Sequence, residues 1–207
     1  MPVEGRKVLK PNGDFKIGSF TVANVHRGWR NMGGFSIFSY NNVKARQQYQ
    51  FSLQNDQGNE WYVFGASKLQ EKSLKSDTGV TIRVAPNMEY YASHFTSPES
   101  GQWHLLTIDP NDYMRRNKFE GELSNGAITY SIVPVFKFEG KSLPMSNLIG
   151  YEFKERNETV GAVQVINNGK VWMKQDLPAD TRMVLASAMA SLLLYEKLNE
   201  STENFEL

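Results

Sequence analysis

Cysteine is absent from the 207 residues. That excludes disulfides, thiolate nucleophiles and cysteine-ligated metal sites. It suits a reducing compartment, so a cytoplasmic location is expected. An excess of charge of either sign is missing too, since the formal net charge is +1. A chain this close to neutrality has no global field to draw it to nucleic acid, and no nucleic-acid partner is expected. Long hydrophobic runs are also lacking. A membrane-spanning helix needs about 20 mostly apolar residues. The most apolar stretch, Met183–Leu194, is shorter, carries Ser187 and Ser191, and runs into Glu196 and Lys197. The first residues, MPVEGRKVLKPNGDF, contain no apolar core of the kind a secretory signal has. No transmembrane segment is therefore expected.

Motifs that carry chemistry are scarce. There is no G-x-S-x-G elbow, no P-loop, no G-x-G-x-x-G and no H-E-x-x-H. The three histidines, His26, His94 and His104, have no paired spacing. They read as surface or hydrogen-bonded side chains, and neither a metal nor a cofactor is expected. In WHLLTI, Trp103 and Leu105 face the opposite side from His104. Glu120 and Glu122 alternate along a strand and share a face, while Asp109 and Asp112 lie in a turn. These read as a solvated face and a turn cap, not as an acid–base pair. The expectation is a protein that is not an enzyme.

What the chain does contain is strand signal. Hydrophobic residues make up 40% and charged residues 22%, which is ordinary globular material. Residues 1–14 are polar, with Pro2, Pro11 and Gly13, and read as an arm. In FKIGSFTVAN the apolar positions slip out of alternation at Gly18 and predict a bulge or bend there. RQQYQFSLQ alternates Tyr49, Phe51 and Leu53 with Gln50, Ser52 and Gln54, the pattern of one buried and one wet face. With WYVFG it predicts a hairpin across residues 55–59. SKLQEKSLKSD, residues 67–77, reads as a short exposed helix or a long loop. Asn-Gly pairs at 125–126 and 168–169 predict hairpin turns, and Pro134 predicts an edge or a bulge in AITYSIVPVF. Roughly ten to twelve short strands at regular spacing point to a sandwich or barrel.

The strands end at a helix that has no polar face. A helix apolar all round belongs in an interior or a membrane. Asp176 or Asp180 is placed to cap it, with Pro178 in its first turn. Ala186, Ala188 and Ala190, beside Val184, Leu185, Met189 and Leu192–Leu194, offer small and large side chains to the strands. Phe153, Val163, Val165 and Trp172 are the expected partners. The expected architecture is mainly β. A closed antiparallel barrel of about twelve strands, residues 15–199, surrounds a buried helix near residues 178–198, and residues 200–207 form a polar tail.

This order of elements resembles the tubby C-terminal-like superfamily, which includes tubby-like proteins, phospholipid scramblases and LURP-one-related proteins. The segment Ile149–Leu198 carries the resemblance: a strand, a hairpin, a final strand, an acidic entry and the apolar helix. The resemblance implies a closed barrel around a hydrophobic C-terminal helix. The chain lacks the cysteine-rich segment and the Pro-rich arm of eukaryotic scramblases.

Two basic groups stand beside aromatics. Arg27 and Arg30 flank Trp29, and Arg115, Arg116 and Lys118 follow Tyr113. A third group, Lys68, Lys72 and Lys75, lies in the 67–77 stretch. Such clusters suit a phosphate or a lipid head group. The function expected is non-enzymatic: a tubby-like barrel that binds an anionic membrane surface or a protein partner, with Arg27, Trp29, Arg30, Arg115, Arg116 and Lys118 as its binding residues. One alternative is a lipocalin-like barrel with a small apolar ligand in its interior. Another is a hydrolase whose site is assembled from distant loops.

Overall fold

The computed structural model describes residues 1–6, 13–28, 47–67, 73–75, 81–83, 88–98, 101–110, 113–138 and 140–195. Alternation of apolar and polar side chains sorts the strands into an inner and an outer face. Along strand β4 (Gln47–Gln54), Tyr49, Phe51 and Leu53 are buried inward and Gln54 is exposed. Ser52, on the outer face, is buried as well, so that face is not uniformly wet.

The strands before β4 are β1 (Val3–Glu4), β2 (Phe15–Ile17) and β3 (Phe20–Arg27). After it come β5 (Glu60–Ser67), the small hairpin β6 (Ser73–Lys75) and β7 (Thr81–Arg83), β8 (Glu89–Ser97) and β9 (Gly101–Asp109). A 3-10 turn, Tyr113–Lys118, leads to β10 (Glu120–Ser124), β11 (Thr129–Val135), β12 (Gly150–Glu155), β13 (Glu158–Gln164) and β14 (Lys170–Met173). Helix α1 (Ala179–Leu194) follows. Apart from the β6–β7 hairpin, the strands form one sheet of 12 in chain order, each antiparallel to the next. The sheet curls until its edges meet. Pro2 bridges to Lys170, and the Val171 amide donates to the Met1 carbonyl at 3.0 Å. The result is a nearly closed barrel, as expected, although β1 lies within the stretch read as a polar arm.

Helix α1 packs on β13 near one edge of the curled sheet and on β4, β5 and β8 from the opposite wall. Every residue from Met183 to Leu194 is buried. The contact with β13 depends on a missing side chain. A Cβ at Gly161 would lie 2.5 Å from Met189 Cε and 3.1 Å from the Trp172 carbonyl oxygen. Phe153 and Val163 face the helix as expected. Trp172 does not. It is 48% exposed on the outer face, and its neighbour Val171 takes the inward place. The helix also starts differently. Pro178 is the N-cap, with no side-chain cap, and Asp180 sits in the first turn.

Several turns depart from their sequence reading. Gly18 does not bulge one strand. Gly18-Ser19 is a two-residue turn joining β2 to β3, with Ile17 opposite Phe20. Glycine at its first central position takes φ +58°, as a type II′ hairpin turn requires. The real irregularity falls between Ala23 and His26, where Asn24 has φ 57° and its side-chain Nδ2 donates to Ser52 Oγ at 3.3 Å. Asn168-Gly169 belongs to a five-residue connection, since Gln164 pairs with Lys170. A second two-residue turn is Arg156-Asn157, with both φ positive, between Glu155 and Glu158. Residues 73–75, expected in a helix or loop, form β6. Pro134 pairs with Tyr151 of β12, while β10 reaches only from Thr129 to Ser131, so the proline lies at a local edge.

Candidate functional site

In an antiparallel meander successive connections alternate between the two ends of the barrel. Those after β3, β9, β11 and β13 share the end at which α1 finishes. Two arginines mark that end. Arg27, the last residue of β3, donates to the Leu194 carbonyl at 2.8 Å, and its guanidinium lies 5.9 Å from the Tyr49 ring centre. Arg6 donates to the Leu193 carbonyl at 2.8 Å and to the Asn167 carbonyl at 3.0 Å. The last carbonyls of a helix lack intrahelical donors and carry the negative end of its dipole. Both guanidiniums answer that need. Arg27 is thus turned to the helix, while Trp29 and Arg30 lie outside the described residues.

Just inside this end sits a buried hydroxyl cluster. Tyr49 Oη donates to the Ser191 carbonyl at 2.6 Å and meets the Tyr91 hydroxyl. Tyr91 Oη lies 2.5 Å from Ser93 Oγ, Ser93 Oγ lies 2.6 Å from Ser191 Oγ, and Tyr91 also contacts Ser191 Oγ. The Tyr49 ring lies over Gly65, where a Cβ would come within 2.5 Å of it. Tyr195 closes the cluster, stacked on Tyr91 at 4.4 Å and donating its hydroxyl to Glu89. Burial pushes the Tyr49 phenol well above its ordinary range and raises that of Tyr91. Burial, and then the Glu89 carboxylate, do the same to Tyr195. These phenols stay neutral at physiological pH and act as fixed donors and acceptors.

The exposed face of the same end has different chemistry. Arg115, Arg116 and Lys118 stand together, exposed, on the 3-10 turn after β9. The connection from β11 to β12 lies beside them: the Arg116 guanidinium is 5.9 Å from the Phe136 ring centre. That connection folds on itself, the Met145 amide donating to the Phe136 carbonyl at 2.6 Å. It carries exposed Lys137 and Lys141. Large apolar side chains stand exposed among these cations: Met114 at 84%, Leu143 at 79%, with Phe138 and Met145. Their exposure was not legible in the sequence, where an apolar residue in a loop reads equally well as core filling. Of the third basic group, Lys68 and Lys72 lie outside the described residues.

The histidines are partly brought together. His94 and His104 are direct cross-strand partners on β8 and β9, with their Nδ1 atoms 3.2 Å apart. His26 is on β3, separated from β8 by β4 and β5. Among the described residues no three His, Asp or Glu side chains are grouped to hold a metal ion. Glu120 and Glu122 are both exposed on β10, a solvated face as read. No helix among the described residues is long and apolar enough to cross a membrane. No family model, curated protein or solved structure matches the chain.

Proposed function

We propose that this chain is a non-enzymatic, tubby-like barrel that docks on an anionic lipid surface through the end bearing Arg115, Arg116 and Lys118. The observation that carries the reading is the exposed cationic turn set on a barrel filled by its own helix. The side chains of α1 occupy the interior in which a lipocalin-like chain would hold its ligand, which favours a surface role over an interior one. Among the described residues at this end, burial holds the Tyr49 and Tyr195 phenols neutral, and Tyr49 donates to the helix end.

Attachment is electrostatic in this reading. A lysine or arginine near an anionic leaflet contributes about 1 kcal/mol, and salt screens that attraction. The test is co-sedimentation with vesicles of phosphatidylcholine, alone or mixed with phosphatidylserine, across a salt series. Binding to the mixed vesicles that falls steeply with salt and is lost in Arg115→Glu/Arg116→Glu/Lys118→Glu is the expected result. Equal binding to both vesicle types, or unchanged binding by the charge-reversed protein, removes the reading.

A further inference from the structure

We infer that Met114 and Leu143 enter the bilayer at the docked end, so that the attachment has an apolar as well as an electrostatic component. This rests on the docking reading above. A solvent-facing methionine and leucine, at 84% and 79% exposure, are costly to leave in water. They lie on two adjoining connections, held together where Arg116 covers Phe136. Both stand among exposed cations: Arg115 and Arg116 follow Met114, and Lys141 precedes Leu143 by two residues.

That mixture selects its occupant. An apolar protein partner would meet desolvated arginines and lysines at the rim, whereas an anionic bilayer offers phosphates at the level of the cations and acyl chains below them. Long basic side chains keep their charge at the head-group level while the apolar ones go deeper. Across the two connections, residues 110–119 and 136–149, the sequence carries five basic residues, Arg115, Arg116, Lys118, Lys137 and Lys141, against two acidic ones, Asp112 and Glu139, an excess of positive charge. Charge complementarity therefore favours the anionic surface over a second copy of the chain.

The absence of cysteine makes the test direct. Met114→Cys and Leu143→Cys, each labelled with a solvent-sensitive fluorophore, place single reporters at the two sites. On adding phosphatidylcholine–phosphatidylserine vesicles, both labels are expected to shift to the blue. Spin labels on the acyl chains should quench them. The unlabelled variant Met114→Ala/Leu143→Ala is expected to bind these vesicles about tenfold more weakly, as loss of buried apolar area implies. If the protein sediments with the vesicles while the labels stay unquenched and the alanine variant binds normally, insertion is overturned and electrostatic docking stands. If the unmodified protein does not sediment with anionic vesicles, docking and insertion fall together. A blue shift that grows with protein concentration in the absence of lipid assigns the patch to a second copy and overturns insertion.

Discussion

Arg27 donates a hydrogen bond to the carbonyl of Leu194, the last residue of the buried helix, at 2.8 Å. A basic residue beside an aromatic looks, in a linear sequence, like a head-group ligand. In the folded chain Arg27 serves the helix first, satisfying a carbonyl that has no intrahelical donor. Replacing it by methionine keeps much of the apolar stem and removes the fork. The expected cost is about 1–2 kcal/mol, from a charge-assisted bond and the helix dipole. Urea unfolding measures it. Vesicle binding by Arg27→Met should match the unmodified protein at temperatures where both are folded. A stable Arg27→Met protein with lost vesicle binding would return Arg27 to the binding surface.

The hydroxyl cluster around Ser191 is expected to behave as a unit. Ser191→Ala removes a group that Tyr49, Tyr91 and Ser93 all reach, and leaves buried hydroxyls short of a partner. The expected destabilisation is about 1–3 kcal/mol. Tyr91→Phe should cost a similar amount. The double variant should cost less than the sum, with a coupling on the order of 1 kcal/mol, because each single change already breaks the same network. Denaturant midpoints of the four proteins measure that coupling. Simple additivity would show that the hydroxyls do not share one network.

The same phenols set a limit at alkaline pH. In the unfolded chain a tyrosine ionises near its ordinary value of 10.0, whereas burial holds Tyr49, Tyr91 and Tyr195 above it. The folded state therefore binds more protons than the unfolded state once pH passes that value. Their contribution is complete below pH 10.0 and is lost as pH rises towards the folded-state values. The slope reaches about 1.4 kcal/mol per pH unit for each tyrosine. Phenolate absorbance and circular dichroism followed together on alkaline titration should show these three ionising only as the barrel unfolds. Complete ionisation of all 9 tyrosines in a chain that keeps its native dichroism would contradict the burial argument.

How far the sequence reaches depends on whether a feature is written in period or in contact. The strands were legible because alternation such as Tyr49, Phe51, Leu53 is a local signal with one geometric meaning. The helix was legible because it lacks a polar face. Turn geometry was less so. Gly18 was seen as a break in period, but a two-residue turn and a bulge perturb alternation alike. Arg156-Asn157, which also makes a two-residue turn, lacks the glycine that usually announces one. The site was half legible. Arg115, Arg116 and Lys118 are neighbours in the chain and remain so in space. The pairing of His94 with His104, the reach of Arg6 to Leu193, and the exposure of Met114 and Leu143 all depend on strand register or loop path.

The fit of helix to barrel yields the sharpest stability prediction. Ala188 is fully buried in the middle of α1. Ala188→Glu forces either a charge or a protonated carboxyl into an apolar interior, and the chain is expected not to fold cooperatively. Gly161→Ala is the milder test of the same contact. Its Cβ must displace Met189 Cε, which is the mobile end of a flexible side chain, and it also meets the Trp172 carbonyl at 3.1 Å, which must give by a few tenths of an ångström although it belongs to the sheet. A cost of about 1–3 kcal/mol is expected, as for overpacking in a core. Met189→Ala in the same chain should recover part of that cost by vacating the space, even though Met189→Ala alone opens a cavity and destabilises. Thermal unfolding of the four proteins decides between close packing and a loose fit. Recovery in the double variant places the helix against β13 at Gly161, while two independent losses would mean that the helix does not bear on that glycine.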